Sequence, residues 1–287
     1  MNHPSRRRLL AAVLLAWAGA LQAQDSAPIK MVVPFGPGTT TDTVGRVVAE
    51  ALGKTLHQTI VVDNRAGAGG SVGTDQVAKS APDGKTLVMG TVGTHAINAA
   101  LFRKLPYDTL RDFAPVAFIG YTPTLLVVAA NSPARSLKDL AALAARPEGV
   151  TFASAGNGTS GQADFMFYHP AAVMPQIKAG KLRALGASGA LRSAAASDVP
   201  TLMEQGIKDF DLVAWFMLYA PAATPPAALN QLRSAAATAL GQPDTVARLR
   251  DQGIEQRAMR TDEMLPFNQA ELVKWAELVK RSGAQVD

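Results

Sequence analysis

The chain has 287 residues, no cysteine and 48% hydrophobic residues, enough apolar material for a sizeable core in one large or two smaller domains. Without cysteine there is no disulfide framework, no thiolate metal site and no thiol nucleophile. The formal charge of +5 overstates the basicity: three of the 28 Lys and Arg are Arg6, Arg7 and Arg8 of an acid-free leader, leaving 25 basic residues against 23 acidic, and no block of like charge marks a nucleic-acid tail.

Residues 1–23 read as a secretory signal peptide. Arg6 to Arg8 precede an apolar run, Leu9 to Ala18, that is too short to span a bilayer, and Ala18-Gly19-Ala20 or Ala23 offers a small-residue cleavage site. Ser5-Arg6-Arg7-Arg8-Leu9-Leu10 also resembles a twin-arginine signal, with Leu9 in place of the usual Phe. A periplasmic location is therefore expected, with the mature chain starting near Gln22 or Gln24.

The mature chain opens on the stretch that organises the rest. Ile29 to Val33 is a short apolar run of the kind that forms a buried strand, and Pro34 to Gly38 is a Pro- and Gly-rich loop. Thr39 stands as a helix N-cap with Asp42 as its capping-box partner, and Val44, Val47, Val48 and Ala51 follow at helical spacing. The N–H groups and positive dipole end of such a helix suit an anion, although the same residues also make a well-capped helix with no ligand. Thr59 to Asp63 and Thr86 to Gly90 read as further strands, each followed by a polar loop, Asn64 to Ser71 and Thr91 to His95, with a helix over Val72 to Ser80 between them. Strands alternating with helices predict a parallel α/β sheet, in which ligands bind beyond the carboxyl ends of the strands.

Val116 to Gly120 and Thr124 to Ala129 predict two more strands, with the link between them crossing into a second lobe. A helix over Leu137 to Ala145, a strand over Val150 to Ser154, the polar loop Ala155 to Gly161 and a strand over Lys181 to Ala187 follow. Trp215 to Ala220 returns the chain to the first lobe. Three helices complete it: Pro226 to Leu240, Asp244 to Gln252, and Thr261 to Ser282 with Leu265, Leu272, Trp275 and Val279 as its core face.

Together these loops resemble the Bug family, the TctC-like extracytoplasmic receptors of tripartite tricarboxylate transporters. The resemblance rests on Val33-Pro34-Phe35, Pro37-Gly38, Thr41-Asp42, Asp63 to Gly70, Pro82 to Leu87, Thr94-His95, Ser154 to Ser160, Ile177 to Leu185, Asp198 to Thr201, Ala220-Pro221 and Thr224-Pro225, in the family's order over nearly all of the mature chain. It implies a type II periplasmic-binding-protein fold of two Rossmann-like α/β lobes with two crossings: residues 24–121 and 220–287 in lobe 1, and 122–219 in lobe 2. It further implies a monomer that holds a small carboxylate without metal or cofactor and passes it to membrane permease subunits. The ligand-binding residues it implies are Phe35, Gly36, Gly38, Thr39, Thr40, Thr41, Asp42, Thr91, His95, Ser154, Gly156, Thr159, Ser160 and Tyr168. On the residues themselves, Phe35 serves equally as a wall over the ligand or as packed core, and His95 as a ligand donor or a helix cap.

The chain departs from the family's pattern at two places. Thr39 replaces the usual Gly, so a changed loop backbone is expected. After the Ser160 loop, relatives carry a helix, a strand and another helix, whereas here Gln162 leads at once into Ala163-Asp164-Phe165-Met166-Phe167. A parallel crossover needs a dozen residues or more. Either the flanking strands are not parallel neighbours, or Phe165 to His169 is not a strand, or the second lobe is shortened. Relatives also have Asp-Asn at Tyr168-His169.

Two other classes compete with a transport receptor. One is a sensor that signals a bound acid to a membrane partner. The other is a serine-dependent periplasmic hydrolase, with Ser154 or Ser160 as nucleophile and His95 or His169 as base, but no Gly-x-Ser-x-Gly elbow is present. His3, His57, His95 and His169 show no metal-ligand spacing. The chain is read as a binding protein rather than an enzyme.

Overall fold

The structure is a computed structural model that describes residues 27–153 and 163–286. The expected signal peptide and four expected ligand residues, Ser154, Gly156, Thr159 and Ser160, lie outside the described residues.

The first sheet has the order β2-β1-β3-β9-β4. Its strands are β1 (Ile29–Val33), β2 (Ile60–Asn64), β3 (Thr86–Thr91), β4 (Phe113–Pro123) and β9 (Val213–Pro221). β1 pairs in parallel with β2 and β3, while β9 runs antiparallel to both β3 and β4. The inner strands β3 and β9 are buried on both faces, as expected of strands covered on both sides, while the edge strand β2 has no fully buried residue. Met31 and Val33 pack with helix α1 (Thr40–Leu56), α6 (Pro226–Leu240) and α7 (Pro243–Asp251), while Val32 packs on the opposite face with Val77 of α2 (Ser71–Ala78) and Met264 of α8 (Thr261–Ser282). α1 buries Val44, Val47, Val48, Ala51 and Leu52, the stripe its spacing predicts.

The second sheet has the order β6-β7-β5-β8, from β5 (Leu125–Ala129), β6 (Phe152–Ala153), β7 (Phe165–Tyr168) and β8 (Leu182–Ala187). β5 is antiparallel to β7 and β8. Helix α4 (Leu137–Ala144) covers one face and α5 (Pro170–Lys178) the other. A short helix α3 (Asn98–Leu101) follows β3 in lobe 1. The chain passes between the sheets twice, from β4 into β5 and back through β9, whose Val213 already pairs with Pro123. The two crossings over two α/β sheets are those of a type II periplasmic binding protein.

β6 and β7 are parallel neighbours, Phe152 opposite Phe165 and Ala153 opposite Met166. Residues 165–168 do form a strand. Of the three alternatives left by the sequence, these facts remove the first two. The ends of the intervening link are tied: the Thr151 N–H and hydroxyl donate to Asp164 Oδ2 at 2.7 and 2.9 Å. These bonds hold the exposed Asp164 carboxyl below its usual range.

The core face expected for the C-terminal helix needs correction at one position: Leu272, Trp275 and Val279 are half-buried and Trp275 packs on the lobe 1 core, but Leu265 does not. α8 buries Met264, Asn268 and Glu271, while Leu265 is 40% exposed. Its polar residues face inward because each has a partner there. Asn268 Oδ1 accepts from the Tyr219 hydroxyl at 2.7 Å, and Glu271 Oε2 accepts from the Trp215 and Trp275 indoles at 2.9 and 3.0 Å.

Candidate functional site

The β1–α1 turn is built from its own side chains. Thr39 caps α1: its Oγ1 accepts from the Asp42 N–H at 3.4 Å and donates to the Gly36 carbonyl at 2.8 Å. The expected capping box is only half present. The Asp42 carboxylate reaches one residue further back and accepts from the Gly38 N–H at 2.9 Å. It also accepts from Arg46 Nε at 3.2 Å and Asn64 Nδ2 at 3.0 Å. Burial pushes the Asp42 carboxyl up, but the bonds from Arg46, Gly38 and Asn64 outweigh it and leave the pKa below its usual value. Asn64 Nδ2 also donates to the Phe35 carbonyl at 3.0 Å, so the end of β2 braces the loop after β1.

With Thr39 as N-cap, the N–H groups of Thr40 and Thr41 begin the helix and have no intrahelical acceptor. They open on a cleft of about 230 Å³. Its lobe 1 wall is Phe35, Thr39, Thr40, Thr41, Thr91, Val92, Gly93 and Ile97, and its far wall includes Tyr168 and His169, with the crossing strand β9 contributing Ala214, Trp215 and Phe216. Close packing sets the position of Phe35. Gly70 has φ +88°, and a Cβ there would meet Thr94 Cγ2 at 2.7 Å and Phe35 Cζ at 3.1 Å.

Six of the expected residues therefore meet on one cleft: Phe35, Thr39, Thr40, Thr41, Thr91 and Tyr168. Gly36, Gly38, Asp42 and His95 are not on its wall. Gly36 and Gly38 shape the loop, and Asp42 is a buried brace whose charge would repel an acid. His95 lies fully buried in the core of lobe 1. Its ring stacks on Tyr219 at 4.0 Å and meets Phe113 edge-on at 4.8 Å, and its Nδ1 lies 2.9 Å from Thr94 Oγ1. Gly90 makes room for that stack, since a Cβ there would come within 2.5 Å of Tyr219 and 2.7 Å of His95. Burial pushes the His95 pKa down to about 3. Of the two readings open to His95, ligand donor or helix cap, the structure adopts neither.

His169 is the residue that the expected set omits. It stands at the N-cap of α5 without capping it, and its Nδ1 is sealed from solvent with no hydrogen-bond partner. Burial pushes its pKa down to about 4, so the ring is neutral at neutral pH. The signal for it in the sequence was the position beside Tyr168, where relatives carry another polar pair. Val92, Ile97 and the β9 residues gave no such signal, because apolar residues in strands and helices read as core.

Two α/β lobes joined by two crossings, with a helix N-terminus opening on the cleft between them, define a solute-binding protein of the periplasmic type. The sequence profile described as "Tripartite tricarboxylate transporter family receptor" matches residues 44–167 and 160–284. The chain belongs to this family, that of the Bug and TctC-like receptors. It is 34% identical to protein BugT of Bordetella pertussis over 297 aligned positions, covering 90% of each chain. Its fold is similar to MatC from Rhodopseudomonas palustris with bound malate, at TM-score 0.79 and 32% identity over 88% of this chain and 98% of that one. A second R. palustris structure, with adipate, superposes at TM-score 0.82 and 29% identity, covering 90% and 98%.

Proposed function

We propose that this chain is an extracytoplasmic receptor that captures a small carboxylate between its lobes and presents it to membrane permease subunits. The observation that carries this reading is the N-terminus of α1, with Thr40 and Thr41, opening on a cleft shared with Tyr168 and His169. Backbone N–H groups and hydroxyls there can each give a carboxylate a charge-assisted hydrogen bond. The malate and adipate in two similar structures support the ligand class. The basic-then-apolar leader supports export, and no helix among the described residues is long and apolar enough to cross a membrane.

Thr40→Pro tests the site. Proline is tolerated at the first helical position, so the fold survives, but one donor N–H is lost. A thermal-shift screen of carboxylates identifies a ligand, and calorimetry should then show at least a tenfold loss of affinity in the variant. Unchanged affinity would remove α1 from the site.

We further infer that lobe 2 lacks one helix-strand-helix unit relative to the family. The alignment with BugT runs over 297 positions although this chain has 287 residues and only 90% of them take part, so the relative carries residues with no counterpart here. The family profile matches in two pieces that meet at residues 160–167, where the link between β6 and β7 ends.

A further inference from the structure

We propose that His169 is a hydrogen-bond donor to the ligand on the lobe 2 wall: its ring carries the proton on Nε2 and offers that N–H to an oxygen of the acid remote from α1. This deepens the receptor reading above and rests on it.

Packing fixes where the ring sits. It meets Phe216 of β9 edge-on at 6.1 Å and is tilted against Tyr168 at 5.7 Å. The chain then enters α5 through the buried Pro170. The turn after α7 packs on that entry from lobe 1, since a Cβ on Gly253 would lie 3.7 Å from both Pro170 Cβ and the Ala171 nitrogen. His169 thereby lines the cleft across from Thr40 and Thr41.

The two ring nitrogens have different surroundings. Nδ1, on the side of the ring nearer the main chain, is sealed from solvent and has no partner. Nε2 is not sealed, and among the described residues it has no partner either. A neutral imidazole carries one proton, so one nitrogen donates and the other accepts. A proton on Nδ1 would bury an orphan N–H at the start of α5, where the helix's own N–H groups already make the field positive. A lone pair on Nδ1 is favoured by that field. The N–H is then on Nε2, where water or a ligand can reach it. A second proton is kept off the ring by burial, which pushes its pKa down to about 4.

A neutral N–H bonds to any oxygen acceptor: a carboxylate, a hydroxyl or a carbonyl. With one carboxylate held at the start of α1, a donor on the opposite wall suits an acid that carries oxygen at both ends, a dicarboxylate or a hydroxy or keto acid.

Nitrogen-15 NMR of the ligand-free chain from Gln24 onward tests the proton's position. That chain contains His57, His95 and His169, and the loss of one set of signals in His169→Gln identifies those of His169. Protonation at Nε2 is expected at neutral pH, and a proton on Nδ1 overturns the proposal. Calorimetry with malate, succinate and adipate tests the contact. For the acid among them that binds tightest, His169→Leu should weaken binding about tenfold or more. His169→Gln, whose side-chain NH₂ can take the place of the Nε2 donor, should stay within about threefold. Unchanged affinity in His169→Leu overturns the proposal and leaves the receptor reading standing. Equal losses in the two variants also overturn it, because the ring would then matter for its shape and not for its N–H. Binding of none of these acids to the unaltered chain overturns the receptor reading for this ligand class, and the proposal with it.

Discussion

The two lobes share an architecture and differ in how well their sheets are covered. In lobe 1 the strands pack on α1, α6 and α7 on one face and on α2 and α8 on the other, and α1 alone buries nine residues along its 17. In lobe 2, among the described residues, each face is covered by one α-helix. α4 has no buried residue, and α5 buries only Pro170 and Val173. α4 has an amphipathic pattern, with Leu137, Leu140 and Leu143 turned toward the sheet, yet these stay partly exposed. The lesson is that an apolar stripe fixes which way a helix faces, while its burial depends on neighbouring elements to close around it. The helix-strand-helix unit that we propose lobe 2 lacks would have supplied such neighbours.

The largest effect should come from opening the better-covered core. Leu52→Ala in α1 should cost about 3 to 5 kcal/mol, because Leu52 is fully buried in the core of lobe 1. Leu140→Ala in α4 should cost about 1 kcal/mol or less, since water already reaches that side chain. Denaturant unfolding of both variants measures the contrast, and equal losses would break it. Hydrogen exchange sharpens the same contrast without mutation. Amides of β5 and β8 should exchange about a hundredfold faster than those of β1 and β3, reflecting local opening of the thinner lobe. Equal protection would show that lobe 2 is as well closed as lobe 1.

Acid should act through two buried histidines, His95 in the core of lobe 1 and His169 on the cleft. Burial lowers both folded pKa values, to about 3 and about 4, below the unfolded value of 6.5. The unfolded chain therefore binds these protons first. The stabilisation is complete above pH 6.5 and is lost as pH falls toward 4 for His169 and toward 3 for His95. Between pH 7 and pH 5 each should cost about 2 kcal/mol. Urea titrations at the two pH values check this. His95→Phe, which keeps a ring against Tyr219, should remove about half of the pH effect whatever it does to absolute stability, and an unchanged pH effect would exclude His95 as a source.

Much of this was legible in the sequence. The strand-loop-helix at Ile29 to Ala49 showed in short apolar runs, turn residues and helical spacing, and those signals are local. The features that were not legible depend on partners far away in the chain. Asn268 and Glu271 face inward because Tyr219 and Trp215 meet them there, and counting apolar positions along α8 selects Leu265 instead. His95 has the composition of a site residue, but Gly90, Phe113 and Tyr219 build an aromatic cage around it. The replacement of a family Gly by Thr39 was expected to change the loop. The backbone there is extended, with φ −73° and ψ 160°, which any residue adopts, so the Thr costs the loop nothing and adds a cap.

That cap allows the smallest and most controlled comparison of the lobes, because lobe 2 repeats it. At the start of α4, Ser136 Oγ accepts from the Asp139 N–H at 3.2 Å, and Asp139 Oδ2 accepts from the Arg135 N–H at 3.0 Å. Thr39 and Asp42 make the same pair of bonds at the start of α1. The Thr39 hydroxyl adds a bond to the Gly36 carbonyl, so the caps differ by that one bond as well as by the packing of the helix. Thr39→Ala should lower global stability by about 1 kcal/mol, because α1 cannot fray without uncovering the core of lobe 1. Ser136→Ala removes an equivalent bond from a helix of eight residues with none buried. Such a helix can melt locally while the sheet beneath it stays folded. The urea midpoint should then move by less than about 0.5 kcal/mol equivalent, while exchange of the α4 amides accelerates. If Ser136→Ala lowers global stability as much as Thr39→Ala does, α4 is as firmly tied into its lobe as α1 is, and the contrast in coverage has no energetic consequence.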